Sequence, residues 1–124
     1  MLAVRTIEEL ERRLGQELGV SDWHLVTEKD TNTLAFAPLL MDQVVSLQGF
    51  ALVVNHGLDR IRFPAPLPVG DRVRLRLSLE AITSQPVASD VTFLMSFERP
   101  GQSRPVCIAE TVVRVFDVAD STFA

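Results

Sequence analysis

At 124 residues and 13.8 kDa, with 47% hydrophobic residues, the chain is sized for one domain over residues 1–124 with a packed core, which excludes a disordered segment. A net charge of -4 argues against a nucleic-acid partner, and a single cysteine, Cys107, excludes an internal disulfide. No stretch reaches the roughly 18 to 20 apolar residues of a membrane helix, and acidic residues stand near the start where a secretory signal needs an apolar core; a cytoplasmic chain without a membrane partner is expected.

The first element reads as a helix. Thr6 followed by Glu9 is a capping box, in which each side chain satisfies a free backbone N–H. Ile7, Leu10, Leu14 and Leu18 then recur at helical spacing, with Gly19 as the stop. Residues 21–27, carrying Trp23, Leu25 and Val26, read as a short strand. Residues 31–48 read as a buried helix, because only Asp42, Gln43, Ser46 and Gln48 give a polar edge to an otherwise apolar run. Pro38 lacks an N–H, so that helix either kinks there or begins there, and Gly49 ends it.

Strands follow. Residues 50–54 are continuously apolar, Asn55-His56-Gly57 is a break, and residues 58–63 alternate. Residues 72–83 place Val73, Leu75, Leu77, Leu79 and Ala81 on one face and Arg72, Arg74, Arg76, Ser78 and Glu80 on the other. This is the pattern of a half-buried antiparallel strand. Val91, Phe93, Met95 and Phe97 alternate in the same way, residues 99–102 are a turn, and residues 106–116 form a last strand before a frayed tail at 117–124. Helix, short strand, buried helix and then four or five strands predict an α+β fold. A curved antiparallel sheet would wrap one buried central helix, with an N-terminal helix beside it.

The segment at residues 55–71, Asn-His-Gly-Leu-Asp-Arg-Ile-Arg-Phe-Pro-Ala-Pro-Leu-Pro-Val-Gly-Asp, resembles the MaoC-like dehydratase or (R)-specific enoyl-CoA hydratase family. Residues 6–10, 19–23, 34–45 and 105–110 extend the resemblance over most of the chain. It implies a hot-dog fold, a homodimer paired through an exposed sheet edge, and lyase chemistry on acyl-CoA thioesters in fatty acid metabolism. Coenzyme A would enter only as part of the substrate, with no other cofactor. The family carries an aspartate followed five residues later by a histidine, which activate a water for addition to a trans-2-enoyl-CoA. A backbone N–H at the helix start polarises the thioester carbonyl.

That signature is absent. Between Thr27 and Leu34 the one aspartate is Asp30, and five residues on stands Ala35. Against the family pattern the chain is about 30 residues short at this place. Three readings follow: a family member that is inactive or weak, a non-catalytic thioester-binding or dimer-partner module, or a shortened hydratase. Apolar surface near Leu34 and Phe36 is expected to be exposed, or filled by a partner, where the missing segment would lie.

The candidate site residues cluster in the matching segment. His56 is the weak catalytic candidate, set against a plain corner role because no carboxylate partner is in view; His24, on the short strand, is read as structural. Asn55, Gly57, Phe63 and Pro64 are candidates for the substrate pocket, and Arg60 with Arg62, sharing a face by alternation, for coenzyme A phosphates. Arg72, Arg74 and Arg76 are read as a solvated stripe, and Pro64, Pro66 and Pro68 as a rigid corner. Leu34, Phe36, Leu40 and Met41 are read as core, with an acyl-pocket lining as the alternative. Two histidines and one cysteine, far apart, offer no metal site.

Overall fold

The computed structural model describes residues 1–30 and 33–116. The expectations at Thr31 and Asn32 and for the tail at 117–124 lie outside the described residues. Eight strands are present among these: β1 (Leu2–Val4), β2 (Glu17–Val20), β3 (His24–Leu25), β4 (Val45–Leu47), β5 (Leu52–Arg62), β6 (Arg72–Ser84), β7 (Ala88–Glu98) and β8 (Cys107–Phe116). Two helices, α1 (Ile7–Glu11) and α2 (Ala37–Val44), join them, and a 3-10 turn at Thr33–Phe36 leads into α2.

The main sheet runs β2-β6-β7-β8-β5, with β3 also paired to β6. All its pairings are antiparallel. Period-two alternation builds the core: Val73, Leu75, Leu77 and Leu79 of β6 and Val91, Phe93, Met95 and Phe97 of β7 are fully buried. Cys107, Ala109, Val113 and Val115 of β8 continue the same concave face, and Leu40 and Val44 of α2 pack into it. The convex face is polar and tied by ion pairs. Arg74 and Arg76 reach Glu98, Arg76 also reaches Glu17, and Arg74 lies over the Trp23 ring at 4.3 Å. The expected arginine stripe is therefore a paired surface.

The N-terminal helix is much shorter than its apolar spacing suggests. Its cap is as expected, with Thr6 Oγ1 accepting from the Glu9 N–H at 3.3 Å and Glu9 Oε2 accepting from the Arg5 N–H at 2.9 Å. It stops because Gly15 turns at φ 78° and the chain then pairs with β6: the Gly15 N–H donates to Leu79 O, and the Leu79 N–H donates to Gln16 O. Leu18 thus lies on a strand, and Gly19 sits inside that strand rather than ending a helix. A sheet edge with unmet backbone groups outcompeted four apolar residues at helical spacing.

The long central helix is likewise trimmed. Pro38 occupies its first turn, where a missing N–H costs nothing, so the helix begins there rather than kinking. It ends at Val44, and Val45–Leu47 leaves as β4, parallel to β1. The short strand expected at 21–27 survives only as β3.

The two strands expected at 50–63 are one strand, β5. Asn55 faces Val113 and Gly57 faces Val112, so His56 is an extra residue opposite no partner. That is a β-bulge, which bends the strand and re-aims its side chains. A second shift falls between Asp59 and Arg62, with Arg60 at φ 51°. The alternation that would have put Arg60 and Arg62 on one face is interrupted there.

Candidate functional site

A cavity of about 650 Å³ lies between α2 and the β5 edge of the sheet. Its size falls within the range of small-molecule sites. The helix side contributes Leu34, Ala37, Pro38 and Met41, and the chain leaving the helix contributes Val45 and Leu47. Val53 and Leu58 of β5, Met95 of β7 and Val113 of β8 close the floor. Five polar residues interrupt this apolar lining: Asp42, Ser46, Asn55, His56 and Thr111. Thr111 is one of only two buried polar residues among those described.

Helical geometry explains one wall. Ala37 and Met41 are one turn apart, as are Pro38 and Asp42, so these four share a stripe. Leu40 and Val44 face the other way, into the core. Strand geometry explains the other wall. Val53 faces Val115, Asn55 faces Val113 and Leu58 faces Thr111, so all three point to the concave side with those buried neighbours.

Of the candidates read from sequence, Asn55, His56 and Gly57 line this cavity. Arg60, Arg62, Phe63 and Pro64 do not. Arg60 is exposed and pairs with Glu110 at 3.2 Å, Arg62 and Phe63 are exposed, and Pro64 is half-buried. Arg60 is part of a convex-face group in which Glu80 and Glu110 come together. The hydrogen bond to Glu110, with some burial, pushes the Glu80 carboxyl above its usual range, and Arg60 opposes that. Of the four apolar residues with a possible lining role, Leu34 and Met41 line the cavity, while Phe36 and Leu40 are core.

The expected exposed patch at Phe36 is a correction. Phe36 is only 5% exposed, packed against the His24 ring with centroids 4.5 Å apart. Leu34 is half-buried. Exposed apolar side chains are found at other places, Leu25, Leu39 and several along β5 among them.

Asp30 does not stand as an isolated carboxylate. Its Oδ2 accepts from the Thr27 N–H at 2.7 Å and lies 3.5 Å from His24 Nε2. The Thr27 N–H outweighs desolvation and holds this carboxyl below the usual range. No periodicity in the sequence joins His24 to Asp30; a turn brings them together. The pair sits beside Phe36, outside the cavity lining. Asp42, part of the polar edge of an otherwise apolar helix, also lines the cavity, which no sequence spacing signals.

Among the described residues no group of three or more His, Cys, Asp or Glu is placed to hold a metal ion. None of their helices is long and apolar enough to cross a membrane.

No family profile matches the chain. The 3-hydroxyacyl-thioester dehydratase Z of Mycobacterium tuberculosis (strain ATCC 25618 / H37Rv) is 29% identical, covering 92% of this chain and 98% of that protein. The protein of the same name from Mycobacterium bovis matches with the same figures. Among solved structures, the MaoC-like dehydratase from Rhodospirillum rubrum superposes with a TM-score of 0.57 at 19% identity, over 84% of this chain and 92% of that one. The chain has the hot-dog fold, and its sequence is similar to the mycobacterial dehydratase along most of both chains. A protein described as a monoamine oxidase regulatory protein from Archaeoglobus fulgius shares the fold at a TM-score of 0.69 and 14% identity, over 95% of this chain and 99% of that one.

The chain is shorter than its alignment with the mycobacterial dehydratase. The match to the M. tuberculosis dehydratase runs over 150 positions, and 92% of a 124-residue chain fills about 114 of them. Segments of the relative therefore have no counterpart here. Against the family pattern, the shortfall is expected in the short span from Asp30 to α2.

Proposed function

We propose that this chain binds acyl thioesters of the coenzyme A type, with the acyl group in the cavity between α2 and β5. The family's Asp-to-His segment is missing, so hydration or dehydration by that pair is weak or absent. The observation that carries the reading is the coincidence of two independent features. The apolar cavity is rimmed by Asn55, His56 and Gly57, and those residues open the sequence segment that most resembles acyl-thioester hydratases.

The test is calorimetric titration with butyryl-CoA and octanoyl-CoA, which cannot be hydrated. Binding is expected, and Ala37→Phe, which fills the cavity from the first turn of the helix, should weaken it at least about tenfold through lost apolar burial. If the unaltered chain binds neither ligand, or if Ala37→Phe binds as well as the parent, the reading fails.

A second reading concerns pairing, and β5 favours it. This 11-residue edge strand is exposed along its whole length, with Leu52, Val53, Val54, Leu58 and Ile61 among its exposed apolar side chains. An edge of that kind invites another strand unless something covers it. On this reading the chain is a homodimer through β5, or the passive partner of a catalytically complete relative. Light scattering should give twice the chain mass, and Val54→Lys should return it to the mass of one chain. A monomer at all concentrations would exclude the homodimer.

A further inference from the structure

We propose that Thr111 recognises an oxygen on the acyl chain, so that the cavity selects thioesters of hydroxyl- or keto-bearing acyl groups over those of plain hydrocarbon chains. The inference rests on the acyl-thioester reading above and names the residue that sets the choice of acyl group.

Three observations carry it. The first is burial. Thr111 lines the cavity yet is only 8% exposed. Alternate residues of β8 are buried, Ala109, Thr111 and Val113 among them, so the Thr111 side chain points to the concave face. Asp42, Asn55 and His56 are exposed and belong to the mouth, whereas Thr111 is a polar group set inside.

The second is the company it keeps. Thr111 stands opposite Leu58 of β5 and Phe93 of β7, and Ala109 and Val113 flank it on the same face of β8. None of these side chains offers a hydrogen bond. Valine has the same branched shape and fills positions 113 and 115 of the strand, so packing alone does not call for a hydroxyl here. A hydroxyl taken out of water without a partner is unfavourable.

The third is a contrast with Ser21, the other buried polar residue among those described. Ser21 Oγ accepts from the Leu75 N–H at 2.9 Å and donates to Asp22 O at 2.9 Å, so it is spent on the fold. The Thr111 hydroxyl makes no hydrogen bond among the described residues. Of their side-chain polar atoms that are both unpaired and sealed off, His24 Nε2 is the one found, so the Thr111 oxygen opens onto the cavity.

The chemistry of the ligand follows. A threonine hydroxyl has one donor and two acceptor positions, so it donates to a keto oxygen and pairs with a hydroxyl in either sense. A hydrocarbon chain that displaces water from this place leaves Thr111 unpaired, and that loss is what discriminates.

The experiment is calorimetric titration of the full chain with butyryl-CoA, 3-hydroxybutyryl-CoA and acetoacetyl-CoA. The two oxygenated ligands should bind about tenfold more tightly than butyryl-CoA, as one gained hydrogen bond allows. A preference for one of them alone supports the proposal and identifies the oxygen as hydroxyl or keto. Thr111→Ser should keep the preference. Thr111→Val should abolish it, with the oxygenated ligands falling to the affinity of butyryl-CoA, while its thermal melting midpoint is no lower than the parent's. A preference that survives in Thr111→Val would overturn the proposal. So would a melting midpoint several degrees lower in that variant, since the hydroxyl would then serve the fold. Equal binding of all three ligands by the unaltered chain would overturn it and leave the binding reading intact. Failure to bind any of them would sink both.

Discussion

Arg114 clasps Asp90 through two parallel hydrogen bonds, Nε to Oδ1 at 2.6 Å and Nη2 to Oδ2 at 2.9 Å. The residues stand opposite each other on β8 and β7, and Val54 of β5 faces Arg114 from the other side. The hydrogen bonds from Arg114, then its charge and that of His56, hold the Asp90 carboxyl below its ordinary value of 3.8 against some desolvation. A depressed folded-state pKa gives stability that is present above the unfolded value and lost as pH falls through the folded one. Glu98 acts in the same direction: burial pushes it up, but Arg76 and Arg74 outweigh that. Unfolding in urea should therefore need less denaturant at pH 3 than at pH 7. Asp90→Asn should cost about 1 kcal/mol at pH 7 and less at pH 3, as fits a partly exposed bidentate pair. Equal losses at both pH values would show that the charge is not the source.

Gly49 and Gly15 separate two costs. Both have positive φ, 75° and 78°, where a side chain is strained. At Gly49 an added Cβ would also stand 2.8 Å from Arg5 O, a backbone atom that cannot swing away, whereas at Gly15 it meets nothing within 4 Å. Gly15→Ala should cost about 1 kcal/mol and Gly49→Ala distinctly more. Paired urea melts would decide it, and equal costs would mean the β1–β4 corner yields easily.

Phe93 anchors the sheet interior. It is fully buried, facing Leu79 on one side and Thr111 on the other. Phe93→Ala should cost about 3–5 kcal/mol, through lost transfer energy and the void left behind. Leu58→Ala, on the exposed edge strand, should lie within about 0.5 kcal/mol of the parent in the same measurement.

Cys107 should be silent in the folded chain. Burial against the core, opposite Phe97, pushes its thiol up to about 11. At pH 8 only about one thiol in a thousand is then ionised, and the thiolate is the reactive form. Alkylation should be negligible until urea opens the fold, and then proceed at the rate of a free cysteine. Rapid native labelling would mean β8 opens locally.

The sequence by itself determined the alternating strands, the α+β class and the buried face. Val73 to Leu79 and Val91 to Phe97 declare their orientation through a repeat of two, which any neighbouring sheet must respect. The capping box at Thr6 and the bend at Asn55-His56-Gly57 were also legible, because their chemistry is local. Element lengths were not. Leu14 and Leu18 continue a helical repeat, yet residues 15–20 belong to the edge of β6. Only a distant strand's unmet backbone groups could decide that. The cavity is the same kind of outcome. Asp42 read as a solvated helix edge and His56 as a corner, and nothing between them in the chain links one to the other. Tertiary packing alone sets α2, docked on β6 and β2, across a cavity from the bulged β5, because the trimmed helix leaves the concave side of that strand uncovered.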